Sequence, residues 1–122
     1  MKLTHGSDGF SLIELLVALV ILSVSLLGLA SLMAMTTQTN SFGSHMTEAT
    51  TFAQDRLEAL RVAPWANVTG NADQVIGATG MVYNRNWVVN TNAAGNLRTV
   101  TITITWNDRT NHSIRLRSAI PQ

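Results

Sequence analysis

From Leu15 to Met35 the chain is apolar, interrupted only by the small residues Ala18, Ser23, Ser25, Gly28, Ala30, Ser31 and Ala34. No Lys, Arg, Asp or Glu occurs between Glu14 and Glu48. A run without a polar face suits a helix in an apolar medium. As a helix it spans roughly 30 Å, the thickness of a bilayer core. It is longer than the apolar core of a cleaved secretory signal, about 7–15 residues, and Ala30-Ser-Leu-Met-Ala lacks the small-x-small exit of such a signal. The pattern therefore predicts a membrane-spanning or membrane-derived helix over 10–35.

Beyond Met35 the apolar positions become one-sided. Phe42, Met46, Ala49, Ala53, Leu57 and Leu60 recur every three or four residues, while Glu48, Asp55, Glu58 and Arg61 lie mainly off that stripe. This is an amphipathic helix, with Glu58 and Arg61 spaced as an i,i+3 pair. Phe42, Met46 and Phe52 are expected in the core. There is no Pro between Phe10 and Ala63, so the helix is expected to continue through 36–62 and to end near Val62, ahead of Pro64. Its weakest stretch is Thr36-Thr-Gln-Thr-Asn-Ser-Phe-Gly-Ser, where Gly43 costs about 1 kcal/mol against Ala.

Residues 63–80, with Pro64, Gly70, Gly77 and Gly80, read as a loop. Strand patterns follow over Val82–Val89, Leu97–Trp106 and His112–Ala119. In the second, Val100, Ile102, Ile104 and Trp106 alternate with Thr99, Thr101, Thr103 and Thr105. Asn92-Ala-Ala-Gly-Asn and Asn107-Asp-Arg-Thr-Asn are the expected hairpin connections. The expected fold class is α+β: a long N-terminal hydrophobic α-helix whose C-terminal half packs on a small antiparallel sheet, here a three-stranded meander within a β-rich head over 63–122.

Composition narrows the function. The chain has 122 residues and a formal net charge of +1. After Arg61 the charges are Arg85, Arg98, Arg109, Arg115 and Arg117 against Asp73 and Asp108, a mildly basic head without the dense patch of a nucleic-acid binder. There is no Cys, hence no disulfide framework. A head of about 60 residues without a staple needs a neighbouring element to complete its core. His5, His45 and His112 are scattered, and no metal-ligand spacing, nucleophile elbow or phosphate loop occurs. No catalytic residue, cofactor or metal is expected. Asn67-Val-Thr and Asn111-His-Ser match the glycosylation acceptor pattern and, without context, carry little weight. A single-pass anchored binding module is the reading from another class. Trp87, Trp106 and the Arg set would then stack on and pair with a ligand such as DNA, although Trp106 continues the Val100–Ile104 face and is expected in the core.

The junction ahead of the apolar run is the most informative segment. Gly9-Phe10 stands at its edge, behind Met1-Lys-Leu-Thr-His-Gly-Ser-Asp, and Glu14 lies inside it. A carboxylate at the centre of a span costs about 2.5–3.5 kcal/mol on insertion scales. Near a helix N-terminus the cost falls, so Glu14 reads either as an interfacial residue or as a functional one. Gly9-Phe-Ser-Leu-Ile-Glu-Leu-Leu-Val-Ala-Leu-Val-Ile-Leu-Ser-Val resembles the prepilin N-terminal signature of type IV pilin-like proteins, and the likeness covers residues 9 to about 35. Leu26-Leu-Gly-Leu-Ala and Ala53-Gln-Asp-Arg-Leu-Glu-Ala-Leu-Arg are similar to minor pilins of the PilV type, or to type II secretion minor pseudopilins.

The resemblance implies a leader over 1–9 and a membrane aspartyl protease, the prepilin peptidase, that cuts between Gly9 and Phe10 and methylates the new Phe10 amine. It implies that Gly9 is required for the cut and that Glu14 pairs with the Phe10 amine of an adjacent subunit during assembly. Other pilin subunits and the bacterial inner membrane are the implied partners, with the mature protein in an extracellular pilus or a periplasmic pseudopilus. One position departs from the pattern. Family leaders usually carry Lys or Arg before the Gly, whereas Asp8 stands here and Lys2 is the leader's sole formal positive side chain, which weakens the positive-inside signal.

Overall fold

A computed structural model describes residues 9–122, so the expected leader ahead of Gly9, with Asp8 and Lys2, lies outside the described residues. Helix α1 (Leu12–Val62) is followed by a single 3₁₀ turn (Trp65–Asn67) and the strands β1 (Asn71–Ile76), β2 (Val82–Thr91), β3 (Leu97–Asp108) and β4 (Thr110–Pro121). This is an α+β, pilin-like fold: a long apolar N-terminal helix and an antiparallel sheet. The chain divides into two compact units at Asn40 and Ser41.

The helix ends at Val62, next to Ala63-Pro64, as the Pro requires. Its Thr- and Ser-rich stretch is helical throughout, with the hydroxyls bonded inward. Thr36 Oγ1 donates to the Leu32 carbonyl at 2.9 Å, Thr37 to Met33 at 2.9 Å and Thr39 to Met35 at 3.0 Å. Ser23, Ser25 and Ser31 do the same one turn back, to Leu19, Ile21 and Leu27. A side-chain donor held by the i−4 carbonyl does not compete for the backbone from a non-helical conformation.

The sheet has four strands, in the order β1-β2-β3-β4, all antiparallel. This corrects the three-stranded expectation: β1 lies within the stretch read as a loop. Asn71-Ala-Asp-Gln-Val-Ile carries little apolar alternation because it is an exposed edge strand, in which Val75 alone is part-buried. Side-chain links to β2 fix its register. Gln74 Nε2 donates to Asn84 Oδ1 at 2.7 Å, and Arg85 makes a two-pronged contact with Asp73. The connection between β3 and β4 is also tighter than the five residues expected. Asn107 pairs with Asn111, and Arg109 takes a left-handed conformation at φ 61° to turn the chain. The Asn92–Asn96 connection forms as expected. Gly95 has φ 74°, and Asn92 Oδ1 accepts the backbone N–H groups of Asn96 and Leu97.

The core of the second unit is one cluster. Ala49, Ala53, Leu57 and Leu60 of α1 pack with Val68, Tyr83, Trp87, Val100, Ile102, Ile104, Trp106 and Ile120. Val100, Ile102 and Ile104 are completely buried, each worth about 1.5–3 kcal/mol of transfer free energy. Met46 and Phe52 are partly buried against the cluster, whereas Phe42 stays 37% exposed with its ring 5.0 Å from that of His112. The stripe is thus displaced from Phe42 onto His45, which is buried. The segment after Pro64 is strapped to the sheet. Arg98 stacks on the Trp65 ring and donates to the Trp65 and Val68 carbonyls, and Trp87 Nε1 donates to the Thr69 carbonyl at 2.9 Å.

Candidate functional site

Gly9, Phe10 and Ser11 precede the first helical residue, and the Ser11 carbonyl accepts the Leu15 N–H at 3.1 Å to begin the helical ladder. Glu14 therefore sits in the first turn, where unpaired backbone N–H groups favour negative charge. It makes no ion pair with any of the described residues. The Phe10 side chain is 87% exposed, and Leu12, Ile13 and the apolar residues through Met35 are exposed as well. No part of the most apolar window of α1 is buried among the described residues, and α1 is long and apolar enough to cross a membrane. A Cβ at Gly9 would meet nothing within 4 Å, so no steric demand among the described residues calls for glycine there. Gly9, Phe10 and Glu14 are thus brought together at one end of α1 by sequence proximity.

A second, unanticipated cluster lies in the other unit. Tyr83 O–H donates to Glu48 Oε2 at 2.7 Å, and Glu48 Oε1 accepts the Ala78 N–H at 2.9 Å. With its proton committed to Glu48, the Tyr83 oxygen accepts from His45 Nδ1–H at 2.9 Å. His45 Nε2 faces Ser41 Oγ at 3.4 Å and Asp108 Oδ2 at 3.8 Å. The Tyr83 hydrogen bond, then the Ala78 N–H, hold the Glu48 carboxyl below its usual pKa. Burial, then the Glu48 bond, push the Tyr83 phenol well above its usual value. Both shifts favour the carboxylate paired with the neutral phenol, and the arrangement acts as a latch between α1 and the β1–β2 turn. The signal for it was present: His45 extends the four-residue row Ala49–Ala53–Leu57. A lone polar residue on such a row does not reveal its partner across the fold.

The aromatic and basic residues weighed for ligand stacking sort differently. Trp87 and Trp106 are both 2% exposed, so neither offers a face to a nucleobase. Arg56 lies over the Trp87 ring at 3.8 Å, Arg61 pairs with Glu58 at 3.0 Å, Arg85 with Asp73 at 2.6 Å, and Arg98 holds the post-helical turn. Arg109, Arg115 and Arg117 make no ion pair with the described residues.

Two kinds of comparison bear on this geometry. The family model for the prokaryotic N-terminal methylation motif matches residues 5–30, which include Gly9, Phe10, Glu14 and much of the exposed apolar helix. Comparison of the chain with curated proteins and with solved structures gave no significant match. The motif match, at the head of a bare apolar helix and in a chain with a pilin-like fold, supports a type IV pilin-like or pseudopilin-like protein made as a membrane-anchored precursor.

Proposed function

We propose that this chain is a minor subunit of a type IV pilus-like filament, of the PilV type, structural rather than catalytic. The observation that carries the reading is the methylation motif placed at the start of an apolar helix that nothing among the described residues covers. The regions that serve it are a leader over 1–9, a membrane and filament helix over 10–35, its amphipathic continuation over 36–62 and the head over 63–122. Before processing, the apolar residues of α1 lie in the inner membrane. Prepilin peptidase cuts between Gly9 and Phe10, where the absence of a side chain at Gly9 serves the protease rather than this fold, and methylates the Phe10 amine. Cleavage leaves a cation at the end of an apolar helix. Glu14 of one subunit meets the Phe10 amine of the next in a medium of low dielectric, where leaving either charge unpaired is costly. That pairing sets register, and burial of the exposed Leu, Ile and Val residues supplies most of the cohesion.

The intact mass of the protein recovered from assembled filaments tests this directly. The expected chain begins at a methylated Phe10. A chain in filaments that still begins at Met1 overturns the assignment. Replacing Gly9 by a bulky residue is expected to leave the precursor uncut in the membrane.

A further inference from the structure

β4 pairs with β3 over its whole length, Thr110–Pro121, and among the described residues no strand pairs with its other edge. An antiparallel edge strand turns alternate N–H and C=O groups outward and so templates a further strand. The opposite edge, β1, has 6 residues, whereas β4 has 12 and contains no Pro before Pro121.

Burial points to the same place. Ile102 and Ile104 on β3 are fully buried, but their cross-strand partners Leu116 and Ile114 on β4 remain part-exposed. Helix α1 touches β4 towards its two ends, through the Phe42 ring on His112 and through Arg61 Nη2 donating to Ser118 Oγ at 3.1 Å. A strand laid along β4 would set its alternate residues over Ile114 and Leu116, and the intervening ones beside Arg115 and Arg117 on the opposite face.

Charge selects the kind of strand. Arg115 and Arg117 lack ion pairs among the described residues. In a second copy offering β4 antiparallel, the register that sets Ile114 of one copy against Leu116 of the other, covering both, also sets Arg115 against Arg115. Like charges directly opposite are destabilising. The β1 edge of a second copy presents Ala72, Gln74 and Ile76 on the face corresponding to Arg115 and Arg117, none of them a carboxylate.

We propose that the free edge of β4 docks a strand from a different polypeptide, one that alternates apolar with acidic residues, so that the apolar residues cover Ile114 and Leu116 and the carboxylates pair with Arg115 and Arg117. This surface is independent of the N-terminal processing and assembly chemistry.

The test uses the full chain in detergent micelles and a capped peptide Val-Glu-Val-Glu-Val-Thr, with a Lys-for-Glu version and a version N-methylated at alternate amides. Residue-resolved amide exchange and titration are the readouts. The acidic peptide should slow exchange in β4 and not in β1, and should bind about tenfold more tightly than the Lys version. N-methylation should abolish binding, and the double variant Arg115→Glu, Arg117→Glu should reverse the preference. Unchanged exchange in β4, equal binding of the acidic and Lys peptides, or retained binding of the methylated peptide would each overturn the proposal. So would β4 protection that appears without peptide alongside a concentration-dependent dimer, which would place a second copy on the edge.

Discussion

Glu48 connects α1 to the β1–β2 turn, which the chain order keeps well apart, accepting from Tyr83 and from the Ala78 backbone. Gly77 makes this possible. A Cβ there would collide with Glu48 Oε2 and lie 2.8 Å from Tyr83 Cε2. Gly77→Ala should therefore displace the carboxylate and cost about 1–3 kcal/mol, the penalty for stripping partners from part-buried polar groups, read as a lowered urea midpoint. The pH dependence has a definite sign. Glu48 and Asp73 both have depressed folded pKa values, the first through Tyr83 and the second through Arg85. Their contribution is present above the unfolded carboxylate range and is lost as pH falls through the folded values. Glu48→Gln should flatten the acid side of a pH–stability profile, most visibly below pH about 4. Tyr83 acts in the opposite range: its raised pKa gives stability that is complete below the unfolded phenol value, about 10, and is lost as pH rises beyond it. Tyr83→Phe should remove that alkaline loss.

Among the elements, the ones with strong periodicity were legible. Val100–Trp106 alternates with Thr over its length, and β3 is the most deeply buried strand of the sheet. Pro64 marked the end of α1. β1 was illegible because an edge strand that faces solvent needs no apolar alternation; what holds it is Asp73 to Arg85 and Gln74 to Asn84, pairings visible only once β2 is in place. For the same reason the row His45–Ala49–Ala53–Leu57 could be read as a packing surface but not as a latch. The N-terminal methylation motif was legible because it lies in one continuous segment of the chain, residues 5–30. Ala49 and Ala53 are 0% and 1% exposed, and their small side chains set how closely the helix approaches the sheet. Ala53→Leu should overpack that contact and cost about 1–3 kcal/mol by urea denaturation. A fragment starting at Thr36 should fold cooperatively. One starting at Pro64 should not, because it loses Ala49, Ala53, Leu57 and Leu60 from the core cluster and leaves a sheet without its covering helix. A cooperative melt of the Pro64 fragment matching that of the longer one would refute the packing described.

For the whole molecule the decisive variant is Glu14→Gln. On the proposed pairing, it should spare cleavage and impair entry into the filament, because the Phe10 amine of the neighbour would be left charged without a partner, at about 3–5 kcal/mol for a fully buried pair. Glu14→Asp should fall between, keeping the charge with a shorter reach. The ratio of processed protein in sheared filaments to that in the membrane reads this out, and normal incorporation of the Gln variant leaves Glu14 as an interfacial residue only. The proposed filament subunit would also carry the same helix through unlike surroundings: lipid first, other helices afterwards. The hydroxyls of Ser23, Ser25, Ser31, Thr36, Thr37 and Thr39 each bring their own acceptor with them, the carbonyl one turn behind. Transfer from hydrocarbon to protein therefore strands no hydroxyl proton, and no partner has to be found on arrival. These hydroxyls are portable, so on the proposed route from bilayer to filament they would leave shape and the charges at the N-terminal end to govern the transfer.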